Sequence, residues 1–348
     1  MRRKAIIGTV ISLVFLYLAF RKVDYGDLWR ALQGVRWVYL IPNIVLVVAV
    51  MWLRAWRWQL ILKPVGRVTY SRVYASTMVG FMANNVLPAR LGEIARAVSL
   101  GLKTGLSRSA ALATIIVERI YDSFTLLLFL WLVFAFSRIS ELTEVERIRS
   151  LGWLFLAINI FLFAILVLLQ VRNAAVVAWI RRVSRRFSPR VQQLSAEITE
   201  KFAQGLRMHH DWPTSAGVAF SSLAIWFILG ISNYFVFIAF GFDHRLPIEA
   251  SFVVLVVVSL LISIPSTAGF VGVYHWGVQI SLQIYGLAKG EALAVAIVLH
   301  AAQYIPITLL GLYYLRKEHL RLSTVGGSEP GEPVPVTDSR LSEGDPPL

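Results

Sequence analysis

The chain has 348 residues, 57% of them hydrophobic and 16% charged, with a mean hydropathy of +0.66 and a formal net charge of +14. A soluble domain carries about 25% charged residues, so a soluble enzyme core is excluded, and the basic excess fits membrane-protein loops and anionic lipid rather than a nucleic-acid surface. There is no cysteine, which removes disulfides, thiolate metal sites and thiol catalysis.

A crossing helix needs about 20 apolar residues, and candidate runs lie at 5–20, 38–62, 106–136, 151–171, 214–240, 248–264 and 290–315. Met1, Arg2, Arg3 and Lys4 ahead of the first run resemble a signal peptide. No small-x-small cleavage site follows and Arg21 and Lys22 come next, so the run is read as a retained, short first span. The stretches 70–105 and 265–288 are apolar but broken by Pro, Gly and polar groups, and each is open to two readings: a full span, or a hairpin that enters and leaves by one face. The expected fold is an all-α, polytopic integral membrane helical bundle of about 7–8 spans with one or two re-entrant or broken helices. Paired breaks in the two halves point to an inverted repeat.

The loops choose an orientation. The connection 172–213 holds eight Lys and Arg and is expected on the cytoplasmic side of the cell membrane, while 137–150 and 241–249 are expected outside. Both termini then fall in the cytoplasm if 70–105 is re-entrant and 265–288 is a crossing with a break. The segment 172–212 reads as one or two amphipathic helices. A transmembrane domain occupies 1–320, and the Pro-, Gly- and acid-rich tail 321–348 is expected to be disordered.

Polar groups concentrate at three places. In the first break Pro88 lacks an amide hydrogen and disfavours helix at Leu87, while Asn84 and Asn85 are suited to the carbonyls that the break frees. Beyond it, Arg90, Glu93 and Arg96 share one helix face at spacings of three and suggest a charge ladder, with Gly92 allowing close approach. The second break repeats the Pro-x-x-x-Gly pattern as Pro265 and Gly269, with Ser266 and Thr267 placed to cap a new helix whose free amides suit a phosphate or carboxylate. In the third, Glu118 and Asp122 lie on one face of a long apolar helix and Arg119 points aside; such groups must pair, face water or lie near an interface. They admit a salt-bridge knot with Arg90 or Arg96, a substrate role, or ion coupling. Arg54, Arg57 and Trp58 read either as an interfacial anchor or as a head-group contact. His275 and His300 are lone histidines in apolar surroundings, suited to a hydrogen-bonded core role or to a ligand role. Neither a metal site nor a cofactor site is indicated.

Taken in order, Arg54 with Arg57 and Trp58, then Asn85, Pro88, Gly92, Glu93 and Arg96, then Glu118, Arg119 and Asp122, then Pro265 to Gly272, the sequence resembles the lysylphosphatidylglycerol synthase transmembrane domain family, also called the flippase-like domain family. The resemblance spans about 50–315. It implies a multi-span fold with re-entrant helices around a central cavity. Together with the reading of the residues, the expected substrate contacts are Asn85, Arg90, Glu93, Arg96, Glu118, Arg119, Asp122, Ser266, Thr267, Gly269, Gly272 and His275, with Pro88, Gly92 and Pro265 at the breaks. In bifunctional members this domain is thought to flip an aminoacylated phospholipid that a separate soluble domain makes; the synthetase domain is absent from this sequence, and lysyl-lipid synthesis is not expected of it. Other stand-alone members are linked to glycolipid or polyprenol-linked sugar pathways. Many members carry Glu where this chain has His275, which puts a permanent negative charge there in doubt and leaves an imidazole able to donate a hydrogen bond to a phosphate.

The expected function is translocation of a phospholipid or lipid-linked head group between leaflets. Arg90, Arg96 and the helix start near Ser266 would hold the phosphate, and Glu118 and Asp122 would pair those arginines or meet a cationic head group. Two rivals stand beside it. One is a membrane-embedded transferase on a lipid-linked donor, with Glu93, Glu118 or His275 as general base; the other is a non-catalytic scaffold for a lipid-synthesis enzyme. The expected partners are membrane lipids with an anionic or lipid-linked head group, and in the scaffold reading that enzyme; nucleic acid is not among them.

Overall fold

The computed structural model describes residues 2–87, 91–136, 212–263 and 268–321, with Trp153, Ala157, Ile160, Phe161 and Arg182 between them. Pro88, Arg90, Pro265, Ser266 and Thr267 lie outside the described residues, as do the tail beyond 321 and most of the expected span 151–171 and loop 172–213. Every element among the described residues is helical: α1 (Arg2–Phe20), α2 (Tyr25–Gln33), α3 (Leu40–Leu62), α4 (Tyr70–Val86), α5 (Gly92–Thr104), α6 (Arg108–Phe136), α7 (Trp212–Ala239), α8 (Ile248–Leu261), α9 (Val273–Gln283) and α10 (Lys289–Lys317). Short 3-10 turns stand at Trp37–Tyr39 and Ala268–Phe270.

Length separates these helices into two kinds. The stretch Trp37–Leu62, α7 and α10 are each long and apolar enough to cross a bilayer. Helix α6 has 29 residues, about 43 Å at 1.5 Å per residue, but carries charge in its middle. By contrast α4, α5, α8 and α9 have 17, 13, 14 and 11 residues, about 25, 20, 21 and 16 Å. Each falls short of the roughly 30 Å hydrocarbon layer.

The short helices form two hairpins that open toward opposite ends of the bundle. At one end Arg72 of α4 donates to the Lys103 carbonyl of α5, Lys103 pairs with Glu318, and Lys63 donates to Thr214. This end is basic. At the other end Arg245, just before α8, donates to the Gly286 carbonyl just after α9 and pairs with Glu291, while Lys289 donates to the carbonyls of Leu18 and Arg21. Hairpin α4–α5 therefore starts and finishes at the basic end, and α8–α9 starts and finishes at the opposite end. The first agrees with the re-entrant reading of 70–105. The second corrects the reading of 248–264 as a span and 265–288 as a crossing: two short helices turn back on one another, which leaves the same parity for the C-terminus.

The halves repeat one order of elements: a long helix, a broken hairpin, a long helix. Helices α3 and α7 lie side by side and antiparallel, since Arg36 donates to Ile238, Asn43 to Ser232, Arg57 to Ser222 and Lys63 to Thr214. Exchanging the halves exchanges the packing pairs: α3 on α10 matches α7 on α6, and α4 on α10 matches α8 on α6. This is an inverted repeat, the arrangement in which broken helices place polar backbone at mid-depth under protein cover.

Two glycines make the hairpins close. A Cβ on Gly92 would sit within 2.5 Å of Asn84 and closer still to the Gly80 carbonyl, so α5 reaches α4 only without a side chain there. Gly272 has φ 88°, and a Cβ there would lie 2.5 Å from the Ser12 carbonyl of α1; both the backbone and the neighbour select glycine. Outside the hairpins, Asp24 caps α2 by accepting from the amides of Gly26 and Asp27. Leu28, Ala31 and Leu32 of that helix then pack on the core near α10.

Candidate functional site

The hairpin tips meet. Tyr304 of α10 donates its hydroxyl to the Asn85 carbonyl at 3.2 Å, and a Cβ on Gly269 would stand 3.3 Å from the same oxygen. Asn85 donates its side-chain amide to Thr308 at 2.8 Å and to the Tyr304 carbonyl, and Asn84 accepts from the Gly92 amide at 2.9 Å. The two asparagines thus divide the work differently from the sequence reading: Asn84 satisfies an amide at the start of α5, not a freed carbonyl, while Asn85 ties the tip to the helix of the other half. His300 donates to the Gly269 carbonyl at 2.9 Å, its ring stacked on Tyr274 and edge-on to His275 at 4.9 Å. The two histidines are therefore not lone: α10 and α9 bring them together at the second tip.

Beside the tips lies a buried charge cluster. Arg57 donates to Asp122 at 2.6 and 3.2 Å, to Glu118 at 3.0 Å and to Ser222 at 2.8 Å. Arg96 pairs with Glu118 at 3.0 Å and lays its guanidinium 3.8 Å from the Trp58 ring centroid. Trp58 in turn donates to Thr114, and Trp226 donates to Asp122 at 2.9 Å. Arg57, Glu118, Arg96 and Asp122 are all at most 3% exposed. Charged groups at this depth persist only when paired and hydrogen-bonded, and the i, i+4 spacing of Glu118 and Asp122 puts both carboxylates on the face of α6 that meets α3 and α5.

Arg119 does not point aside. It reaches back to Glu118 at 3.1 Å and Asp122 at 3.5 Å and approaches Glu93 at 3.9 Å. The side chains of Arg119 and Glu93 are 37% and 33% exposed, so the cluster meets the protein surface there. Glu93 faces Arg119, and the ladder contact expected with Arg90 lies outside the described residues.

Arg54 completes the cluster from the other side. Its Nη1 stands 3.7 Å from Asp122 Oδ2, beyond hydrogen-bond reach, and its guanidinium lies over Phe81 and Trp226. It lines a mostly apolar cavity of about 190 Å³, whose other polar lining residues include Asn233, Tyr274 and Gln303. Those three are linked: Gln303 donates to Asn233 at 2.9 Å and Tyr274 to Gln303 at 3.4 Å. Among the described residues the cluster holds four guanidiniums against three carboxylates, one positive charge in excess.

Of the expected contact residues, the structure gathers Glu93, Arg96, Glu118, Arg119 and Asp122 into this cluster. Asn85, Gly269, Gly272 and His275 belong to the tips. Arg57 and Arg54 join the cluster although the sequence offered them equally as an interfacial anchor; their spacing of three beside Trp58 in an apolar helix is the signal that marks them.

The lysylphosphatidylglycerol synthase TM region family pattern matches residues 5–311. A UPF0104 membrane protein of Methanocaldococcus jannaschii is 27% identical over 68% of this chain and 95% of its own length. One from Methanothermobacter thermautotrophicus is 27% identical over 90% and 95%, and one from Pyrococcus horikoshii 22% identical over 92% and 98%. No solved structure matches the chain. The chain belongs to the lysylphosphatidylglycerol synthase TM region family of membrane proteins.

Proposed function

We propose that the protein moves a phospholipid or lipid-linked head group between the leaflets of the cell membrane, along the polar path where the two hairpins meet. The observation that carries this reading is the sharing of Asp122: one carboxylate oxygen faces both Arg119, which reaches the surface, and Arg54, which faces the cavity. A translocator needs a polar site reachable by two routes, with the acyl chains left in the bilayer. An inverted repeat supplies two near-equivalent halves for such exchange. The phosphate-holding role expected of Arg96 moves to Arg54 and Arg119, because Arg96 is sealed between Glu118 and Trp58. Arg90, Ser266 and Thr267 remain proposed contacts.

A scaffold reading has one observation in its favour: the charges of Arg57, Arg96, Glu118 and Asp122 pair with one another inside the bundle. The test is reconstitution of the purified chain into vesicles holding an anionic phospholipid, with leaflet accessibility and lipid mass followed together. Translocation changes the leaflet and leaves the mass unchanged. A changed mass indicates a transferase, and no change in either supports a scaffold.

A further inference from the structure

Helix α10 holds both hairpin tips from one face. His300, Tyr304 and Thr308 stand at i, i+4 and i+8. His300 donates to the Gly269 carbonyl of the second tip, Tyr304 donates to the Asn85 carbonyl of the first, and Thr308 accepts from the Asn85 side-chain amide. Inside that row stands Pro306. It has no amide hydrogen to offer the Ala302 carbonyl and its ring crowds the preceding turn, so the helix bends most easily there.

The arms on either side of Pro306 have different homes. In the first, Leu293, Ala296 and Leu299 share a buried core with Tyr274, Val278 and Leu282 of α9. In the second, Leu315 packs with Val79, Met82 and Ala95 of α4 and α5, and a Cβ on Gly311 would lie 2.6 Å from the Met78 carbonyl. Each arm is thus bound to one hairpin, the first to α8–α9 and the second to α4–α5. A bend at Pro306 carries one hairpin relative to the other.

The hydrogen bond of Tyr304 to Asn85 spans this joint, from the first arm to the other arm's hairpin, at 3.2 Å. The turn it helps to seat is strained: Gly269 has φ 67° and Phe270 has φ 57°, a left-handed conformation that a residue with a side chain adopts only at a steric cost. Gln303 and Ile307, which bracket Pro306, both line the mostly apolar cavity beside Arg54. A bend between them therefore also reshapes that cavity.

We propose that α10 is a hinge helix, with Pro306 as the joint and the Tyr304–Asn85 hydrogen bond as the latch that keeps the two hairpin tips together. Opening the latch parts the tips. The hinge rests on the translocator reading for its purpose, an exchange between the two routes to the buried cluster, but its test does not depend on lipid movement.

The test uses the full chain in mild detergent, which has no cysteine of its own. One thiol is introduced as Ala268→Cys in the turn of the second tip, and a small, charged, water-soluble methanethiosulfonate is the probe. Adding Tyr304→Phe, which removes the latch hydroxyl alone, is expected to speed labelling about fivefold, the net worth of one hydrogen bond. Adding Pro306→Ala, which restores the backbone bond and stiffens the joint, is expected to slow labelling about threefold; it decides the matter if Tyr304→Phe unfolds. A control thiol at the buried Ser281 of α9 is expected to label at one rate in every background, because the arms move as units. Equal labelling at position 268 in all backgrounds overturns the hinge, as does equal acceleration at 268 and 281 by Tyr304→Phe. In phosphatidylglycerol vesicles, a wild type that moves no lipid while labelling follows the expected order defeats the translocator reading alone. A wild type that moves lipid while labelling at 268 is the same in all backgrounds defeats the hinge alone.

Discussion

Arg57 grips Asp122 with two prongs, Nη1 to Oδ1 at 2.6 Å and Nη2 to Oδ2 at 3.2 Å, and neither side chain is more than 4% exposed. The pair joins α3 to α6 across the bundle. Removing one partner of such a buried pair leaves the other charge uncompensated and costs about 3–5 kcal/mol. Asp122→Leu is therefore expected to lower the melting temperature in detergent strongly. Arg57→Leu combined with Asp122→Leu is expected to lose less than the two single losses added, because contacting residues are not additive. Thermal unfolding of the four proteins checks this.

Gly92→Ala drives a methyl group into the Gly80 carbonyl and Asn84, both backbone-fixed parts of α4. Overpacking of this kind costs about 1–3 kcal/mol or more. Gly34→Ala is the control: its added carbon meets nothing nearer than 3.6 Å, and its φ of −77° suits any residue. The first variant is expected to melt well below the wild type and the second within a few degrees of it.

Asn84→Ala removes the acceptor of the Gly92 amide at the start of α5. An orphaned buried amide costs about 1–3 kcal/mol. The loss is expected in stability, and with it faster hydrogen exchange across 92–96 than across 98–104, since the damage is local to the hairpin tip. Uniform exchange across α5 would contradict the assigned contact.

The absence of cysteine makes single-cysteine labelling clean. Arg72→Cys and Lys103→Cys flank hairpin α4–α5, and Asp243→Cys and Gln283→Cys flank α8–α9. A membrane-impermeant thiol reagent is expected to label the first two from one side only and the second two from the other side only. Asp243→Cys and Gln283→Cys labelled from different sides would mean that the second hairpin crosses.

The sequence made the helical membrane class, the two breaks and the paired carboxylates legible, because each follows from composition, proline or an i, i+4 spacing. Three things stayed hidden for one physical reason: their partners are far apart in the chain. Asn85 meets Thr308 223 positions away, Arg57 meets Asp122 65 positions away, and Gln303 meets Asn233 70 positions away. Whether 265–288 crosses also escaped charge counting, because one crossing added to each of α8 and α9 leaves the C-terminus on the same side. Arg119 was misplaced by its neighbours: on helix geometry alone it leaves the face of Glu118, but a long guanidinium reaches back to both acids.

The most direct measurement is the initial rate at which a head-group-labelled anionic phospholipid changes leaflet in vesicles holding the purified chain. The account predicts a rate well above that of protein-free vesicles, reduced at least tenfold in Arg54→Gln, about 1.4 kcal/mol in barrier, with Arg54→Lys between the two because it keeps the charge and loses the guanidinium. A wild-type rate equal to that of protein-free vesicles, with the protein shown folded by its melting profile, would contradict it.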